Sequence, residues 1–313
     1  MPGSAKPVRA VEPLHGLVLR ASAGFYEVET TQGVITAKLR GRLKKSARRA
    51  GAAAIGDQVR LSLYEDGSAS IEEILPRRRA LSRRAPGREA EQILVANPDQ
   101  SVFVFACADP DPNFRMLDRL LVVAERESLP AVICANKLDL VEPRSAHEEF
   151  GVYEQIGYRV LYTSATTGKG VGDLRKELSG KLSVLAGPSG VGKSSLLNLV
   201  QPGLGLRTEA VSLSTGKGTH TTVVRELLPL KGGGYVADTP GLKAFALWDI
   251  EPDELDAYFR EIGPLVKDCE FSDCTHEHEP GCAVRAAVEA GKIDVNRYES
   301  YLRMRAGETF LER

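Results

Sequence analysis

Residues 187–194 read Gly-Pro-Ser-Gly-Val-Gly-Lys-Ser and match the phosphate-binding pattern G-x-x-x-x-G-K-[ST]. The apolar run Leu182–Ala186 precedes them and an apolar helical stretch follows. This order brings backbone N–H groups and the positive end of a helix dipole to phosphate oxygens. We expect Lys193 to reach the β- and γ-phosphates and the Ser194 hydroxyl to ligate Mg²⁺. The predicted nucleotide-binding residues here are Gly187, Pro188, Ser189, Gly190, Val191, Gly192, Lys193, Ser194 and Ser195.

The segment Asn136-Lys-Leu-Asp139 follows a second apolar run and can select a base, which a phosphate-binding loop cannot do. The Asp139 carboxylate can accept hydrogen bonds from N1–H and N2–H₂ of guanine, whereas adenine has no such donor pair. Asn136 can tie this segment to the phosphate-binding loop, and the stem of Lys137 can cover the base. Alone, the four residues could be an ordinary turn; beside a phosphate-binding loop they indicate a guanine nucleotide. Ser164-Ala165 resembles the loop whose backbone N–H meets guanine O6.

Two further segments resemble switches that sense the γ-phosphate. In Asp238-Thr-Pro-Gly241, Asp238 would hold Mg²⁺ through water and the Gly241 N–H would touch the γ-phosphate. The polar loop 214–222 could supply a threonine to Mg²⁺, and we select Thr222 over Thr221. The alternative for this loop is a plain mobile connection.

The order of these segments differs from that of ordinary GTPases, in which the phosphate-binding loop comes first. Here both guanine segments precede that loop and the switches follow it. This order indicates a circular permutation, which is feasible because domain termini often lie close together. Where a Ras-like enzyme has a Gln that orients the attacking water, this chain has Leu242. We expect slow intrinsic turnover and select His220 as the catalytic candidate; alternatively, His220 only caps or packs.

Three cysteines and a histidine fall within fourteen residues near the C-terminus, in the spacing Cys269-x₄-Cys274-x-His276-x₅-Cys282. Three thiolates and one imidazole can close a tetrahedral structural site, so we expect one Zn²⁺ per chain. Reactive thiols or chance clustering are the alternatives. We leave out His278, a candidate substitute ligand two residues past His276.

Charge is unevenly spread along the 313 residues, whose formal net charge is −1. Residues 36–90 hold 14 Lys/Arg and 6 Asp/Glu, a basic excess that favours a nucleic-acid partner over a merely solvated face. No apolar run approaches a membrane span, and no hydrophobic signal region opens the chain. The odd number of cysteines, 5, argues for a reducing compartment. We therefore expect a cytoplasmic protein without a membrane partner.

Composition and the pattern of apolar residues divide the chain into five segments. A disordered leader over 1–13 precedes a five-stranded oligonucleotide-binding (OB-type) β-barrel over 14–76, predicted from short alternating apolar runs between turn signals. The arginine-rich segment 77–92 has linker composition, and it could also be an arm that orders on RNA. Alternating strands and helices predict a doubly wound α/β domain over 93–246. An acidic, helical, zinc-binding domain is expected over 247–313.

Permuted motif order, an N-terminal barrel and the C-terminal cysteine–histidine spacing together resemble the ribosome small subunit-dependent GTPase family (RsgA/YjeQ). The resemblance covers essentially Leu14 to the C-terminus. It implies a circularly permuted P-loop GTPase core between a barrel and a zinc domain. It also implies GTP hydrolysis that the small ribosomal subunit stimulates during late maturation. The implied partners are GTP or GDP, the small subunit and its rRNA, and we expect a monomer.

Two other functions stay open on the sequence. The first is a GTP-dependent RNA-binding scaffold with negligible hydrolysis. Phosphate release measured with and without ribosomal subunits would distinguish it from a subunit-stimulated GTPase. An ATP-using P-loop kinase would differ in nucleotide competition, and Asn136 and Asp139 argue against it.

Overall fold

The computed structural model describes residues 14–41, 43, 53–65, 68–84, 91–206, 225–238 and 250–308. Contacts divide the chain into two compact units. The first takes its described residues from Met1–Gln100, Arg175–Leu185 and Glu209–Ala244, and the second from Ser101–Leu174, Ala186–Thr208 and Phe245–Arg313. The domain limits expected from the sequence stay a prediction.

Five strands of the first unit close a barrel, as the sequence predicted. They are β1 (Leu14–Ser22), β2 (Phe25–Thr30), β3 (Gly33–Leu39), β4 (Gln58–Leu63) and β5 (Ala69–Ile74). The pairing order is β1-β2-β3-β5-β4, and β4 pairs again with β1. Alternate side chains point inward because a strand has a period of two, and Val18, Val28 and Ile71 are fully buried in the barrel core.

The rest of the first unit adds strands beyond the barrel. They are β6 (Ala80–Arg84), β7 (Glu91–Ala96), β11 (Leu182–Ala186), β12 (Arg225–Pro229) and β13 (Tyr235–Asp238). Strands β6 and β7 form an antiparallel pair, so the segment 77–92 carries strand structure that its composition did not indicate. Strand β12 pairs antiparallel with β1 and β13, and β13 runs parallel to β11.

The second unit contains three parallel strands in the order β10-β9-β8, with helices between them. The strands are β8 (Gln100–Ala106), β9 (Ala131–Asn136) and β10 (Arg159–Tyr162), and the helices are α1 (Phe114–Arg126), α2 (Pro143–Gln155) and α3 (Val171–Leu178). Every residue of β8 and β9 is buried, as in a parallel sheet covered on both faces. Because parallel strands end at the same edge, residues that follow β8, β9 and β10 come together there.

The C-terminal part of the second unit packs on α1. After α4 (Lys193–Val200) its elements are the 3₁₀ helices Pro252–Tyr258 and Gly263–Asp268, then α5 (Ala283–Glu289) and α6 (Val295–Arg305). One hydrophobic cluster joins Val122 of α1 to Leu255, Phe259, Ile262 and Tyr301. The C-terminal elements therefore share their core with helix α1. Within the described ranges, no helix is both long and apolar enough to cross a membrane.

A buried ion network also joins α6 to α1. Arg297 is 2% exposed and donates to Asp118 at 2.7 Å and to Glu261 at 2.7 and 3.1 Å. Asp118 also accepts the Tyr153 hydroxyl at 2.8 Å, and the guanidinium lies 4.6 Å from the centre of the Phe259 ring. Burial opposes the positive charge of Arg297, but the charges of Asp118 and Glu261 raise its pKa above the usual value. The guanidinium is therefore charged, and each of its three nitrogens donates to a carboxylate.

Candidate functional site

The phosphate-binding loop leaves β11 and enters α4 through positions that only glycine fits. Gly192 precedes α4 with φ 94°, in the left-handed region, and a Cβ there would lie 2.4 Å from Nδ2 of Asn136. A Cβ at Gly187 would lie 2.0 Å from the carbonyl oxygen of Val104. These glycines therefore allow the loop to approach its protein neighbours, in addition to any phosphate.

Lys193 holds its ammonium group against the backbone of this loop. Its Nζ donates to the carbonyl oxygens of Gly187 at 2.8 Å and Pro188 at 2.6 Å. Ser194 and Ser195 follow in the first turn of α4, where both are partly exposed. A cation beside the first turn of a helix is an arrangement suited to phosphate.

Asn136 joins the guanine segment to the phosphate-binding loop, as the sequence analysis expected. It is fully buried, and its Nδ2 donates to the carbonyl oxygen of Val191 at 2.7 Å. Its Oδ1 accepts the hydroxyl of Thr163 at 3.0 Å, and the Thr163 carbonyl accepts the N–H of Leu138 at 3.0 Å. The sequence analysis did not select Thr163. Its signal was a polar residue directly after strand β10 and directly before Ser164.

Ser164 positions the carboxylate of Asp139. The Ser164 hydroxyl donates to Asp139 Oδ1 at 2.5 Å and accepts the N–H of Thr167 at 3.0 Å. The hydrogen bond from Ser164 lowers the pKa of Asp139 below its usual value, so this exposed carboxylate is ionised at neutral pH. The backbone N–H of Ser164 donates to the Lys169 carbonyl at 3.0 Å. Of the two residues predicted to offer a backbone N–H to guanine, Ala165 is therefore the better placed.

Lys137 adopts a left-handed backbone conformation with φ 61° between β9 and the 3₁₀ helix Leu138–Leu140. Its Nζ donates to the carbonyl oxygen of Asp109, and it lies 3.9 Å from the carboxylate of the same residue. Asp109 follows β8 and is a contact that the sequence analysis did not select. The lysine stem is thereby fixed between the loops after β8 and β9.

The switch residues are described only in part. Asp238 ends β13 opposite Leu185 of β11. Its side chain, together with His220, Thr222 and Gly241, lies outside the described residues. The roles predicted for them stay predictions.

The four predicted metal ligands lie together, and their ligand atoms are all within 4.8 Å of one another. Cys269 Sγ lies 4.0 Å from Cys282 Sγ, and His276 Nδ1 lies 3.6 Å from the first and 3.4 Å from the second. A tetrahedral ion with zinc-like bond lengths has ligand–ligand distances of about 3.5–3.8 Å. Burial raises the pKa of the Cys274 thiol to about 12, so a thiolate there needs a cation beside it. This cluster could hold a metal ion.

A compact turn directs His276, and not the nearby His278, toward the cysteines. His276 is fully buried with φ 65°, whereas His278 is exposed. The carboxylate of Glu279 accepts the backbone N–H groups of Thr275, Glu277 and His278, and the Thr275 hydroxyl as well. Burial would raise the pKa of Glu279, but the hydrogen bonds from Thr275 and the backbone lower it below the usual value. The turn is therefore organised around an ionised carboxylate.

Helices α5 and α6 hold this turn in place. Cys282 is the N-cap residue of α5. From α6, Tyr298 donates to the carbonyl oxygen of His276 at 2.5 Å and Tyr301 to that of Thr275 at 3.0 Å. Neither tyrosine was selected from the sequence, because each lies more than twenty positions along the chain from the carbonyl group that it contacts.

Much of the described basic charge near the barrel is already paired. Arg77 donates twice to the fully buried carboxylate of Asp57, at 2.6 and 2.7 Å. Further ion pairs made by described residues of the segment 36–90 are Arg40–Glu72, Arg60–Glu73 and Arg78–Asp99. These ion pairs leave the net charge of residues 36–90 unchanged. Arg77, however, has a structural role because it neutralises a buried carboxylate. The basic residues Arg42, Lys44, Lys45, Arg48, Arg49 and Arg88 lie outside the described ranges.

A phosphate-binding loop that follows its guanine segments in the chain, on parallel strands, defines a circularly permuted GTPase. Two solved structures match nearly the whole chain. YjeQ from Thermotoga maritima is 37% identical with a TM-score of 0.78, covering 96% of this chain and 100% of that one. YloQ, described as a circularly permuted GTPase, is 30% identical with a TM-score of 0.72, covering 95% of each chain. The predicted fold class is confirmed.

Sequence comparison identifies the family. The RsgA N-terminal domain model matches residues 15–71 and the RsgA GTPase model matches residues 74–248. The small ribosomal subunit biogenesis GTPase RsgA of Gemmatimonas aurantiaca is 49% identical over 294 residues, 93% of this chain and 96% of the relative. Its counterpart in Moorella thermoacetica is 47% identical over 292 residues, 92% and 95% of the two chains. The chain belongs to the RsgA GTPase family and is a GTP-hydrolysing enzyme.

Proposed function

We propose that this GTPase acts in the biogenesis of the small ribosomal subunit, and that the subunit stimulates its hydrolysis of GTP. The observation that carries the proposal is 49% identity, over 93% of the chain, to a relative named for that process. The basic excess of residues 36–90 supports an rRNA contact made by the barrel segment 14–76. The protein works as a monomer in the cytoplasm.

The base and phosphates are bound by the loops described above. Asp139 accepts N1–H and N2–H₂ of guanine, Ala165 donates its N–H to O6, and Lys137 covers the base. The hydrogen bond from Asn136 to the Val191 carbonyl supports this role, because it holds the guanine segment on the phosphate-binding loop. The Thr163 hydroxyl donates to the same Asn136 amide and fixes its orientation. Lys193 moves from the loop carbonyls to the β- and γ-phosphates when GTP binds.

Hydrolysis needs Mg²⁺ and a positioned water. Ser194 and Thr222 would ligate Mg²⁺, Asp238 would hold it through water, and the Gly241 N–H would contact the γ-phosphate. His220 orients the attacking water, because Leu242, in the place of the Ras-like Gln, has no polar group. Binding to the small ribosomal subunit then completes this arrangement, and without the subunit GTP turnover is slow.

The C-terminal cluster holds one structural Zn²⁺ through Cys269, Cys274, His276 and Cys282. The ion would have a structural role and would supply no catalytic chemistry. The donor atoms support zinc over Ca²⁺ or Mg²⁺, since three thiols and an imidazole suit a borderline-soft cation and hard cations prefer oxygen. The domain over 247–313 is stabilised by this ion.

We predict that small subunits raise the GTP turnover number strongly and that equal amounts of large subunits do not. Groups supplied in trans can raise GTPase turnover by on the order of 10³-fold or more. The measurement is phosphate release at fixed salt, with Lys193→Ala as the inactive control. Equal rates with both subunits would contradict the proposal. Tight GTP-dependent subunit binding without hydrolysis would favour the scaffold function.

We predict that Asp139→Asn weakens GTP binding by about 2–4 kcal/mol, because a charge-assisted pair of hydrogen bonds is lost. An amide at this position can donate where the carboxylate only accepts, so the variant should gain affinity for xanthosine triphosphate, whose C2 carries an oxygen. The measurement is nucleotide affinity by fluorescence competition. Glu142→Gln, an exposed carboxylate three residues further on, is the matched control. Unchanged affinity for GTP in Asp139→Asn would remove Asp139 from the base site.

A further inference from the structure

The imidazole of His276 has one nitrogen that the proposed metal site does not use. Nδ1 faces the cluster, 3.6 Å from Cys269 Sγ and 3.4 Å from Cys282 Sγ. Nε2 lies on the other side of a ring that is 0% exposed, and it has no hydrogen-bond partner among the described residues. A buried N–H without an acceptor is costly and rare in folded proteins. This nitrogen therefore needs an acceptor nearby.

Asp256 is placed to be that acceptor. Its Oδ2 lies 3.5 Å from His276 Nε2, and its Oδ1 accepts the N–H of Ala257 at 2.7 Å, which orients the carboxylate. The Asp256 side chain is 21% exposed, so it is largely shielded from water. The 3₁₀ helix Pro252–Tyr258 that carries it is anchored by Leu255 in the hydrophobic cluster on α1. The carboxylate is thus delivered to the histidine by a packed element.

We propose that Asp256 is a positioning residue for the metal site, acting through His276. Its carboxylate accepts the Nε2–H of His276, which fixes the tautomer in which Nδ1 carries the lone pair directed at the ion. Outer carboxylates of this kind orient an imidazole ligand and raise its basicity. The separation of 3.5 Å is slightly longer than an ordinary N–H···O hydrogen bond and closes with a small movement of either group. This inference rests on the proposed metal site.

The experiment is zinc affinity of the full-length protein, measured by competition with a chromophoric chelator. Asp256→Ala should weaken zinc binding by about 10–100-fold, the usual cost of losing an outer-shell partner. Asp256→Asn should fall between the wild type and Asp256→Ala, because the amide oxygen still accepts but carries no charge. The matched control is Asp253→Asn on the same 3₁₀ helix, where the side chain is 91% exposed and pairs only with Arg305 among the described residues. It should bind zinc as the wild type does.

Two further readouts separate positioning from a general loss of structure. In ¹H–¹⁵N spectra of the zinc-loaded wild type, His276 should show a protonated, slowly exchanging Nε2–H, and this proton should exchange faster in Asp256→Ala. The visible bands of the Co²⁺-substituted protein should shift in the same variant. Equal zinc affinity and an unchanged Nε2–H signal in Asp256→Ala would overturn the inference. Absence of zinc binding by the wild type would instead contradict the metal site itself.

Discussion

Replacing Arg297 with methionine should lower the free energy of unfolding by about 3–5 kcal/mol. The substitution strands two buried carboxylates, those of Asp118 and Glu261, which are 2% and 6% exposed and lose their only described ion-pair partner. Breaking a buried ion pair by removing one partner is much more costly than replacing both partners with apolar groups. The measurement is the urea midpoint of the GDP-bound protein, followed by circular dichroism.

Two comparisons test this explanation. Arg303→Met changes an arginine on the same helix that is half-exposed and lies 3.5 Å from Glu308, and a surface pair of this kind is worth about 0–1 kcal/mol. Combining Arg297→Met with Asp118→Leu and Glu261→Leu should recover much of the lost stability, because no charge is then left unpaired. If Arg297→Met cost no more than Arg303→Met, the network would not be what joins α6 to α1.

Removing the proposed metal ion should lower the free energy of unfolding by as much as Arg297→Met does, or by more. The loss of structure should be confined at first to the second unit. Structural zinc sites contribute about 10–16 kcal/mol of apparent binding free energy in small zinc domains, so we expect much of the local stability to depend on the proposed ion. Chelation, or Cys274→Ser, should expose the amides of α5, α6 and the turn around His276 to hydrogen exchange. GTP binding should persist, because the nucleotide loops lie on separate strands.

The matched control is Cys107→Ser, since Cys107 is a buried thiol outside the cluster. That variant should keep one zinc per chain, whereas Cys274→Ser should not. Elemental analysis well below one zinc in natively purified protein would count against the site. Unchanged hydrogen exchange after chelation would show that the hydrophobic cluster on α1 holds the C-terminal elements without the ion.

The barrel strands and the buried parallel strands were predictable because their patterns are local. Alternating apolar residues predicted β1 to β5, and continuous apolar runs predicted β8 and β9. Helix α2 has a weak pattern in the sequence, because only Ala146, Phe150 and Tyr153 form its narrow buried stripe. Strands β6 and β7 were not predicted, because an arginine-rich composition does not indicate that two segments of the backbone will pair as strands.

The nucleotide-binding motifs and the cysteine–histidine motif could be recognised for the same reason, because each motif spans no more than fourteen consecutive residues. Their roles in binding stay predictions. Residue type and short spacing are sufficient to specify the chemistry of such a motif. What the sequence analysis missed around them is contributed from elsewhere in the chain. Thr163 fixes the amide of Asn136, and Tyr298 and Tyr301 hold the turn of the metal ligands.

The sequence by itself therefore determined the class of enzyme, the permuted order of its loops and the set of candidate ligands. Only the tertiary structure decided that α1 shares its core with the C-terminal helices. Asp118 and Arg297 are 179 positions apart and meet at 2.7 Å. No periodicity or spacing encodes such a contact, because it depends on how packed helices bring distant parts of the chain together.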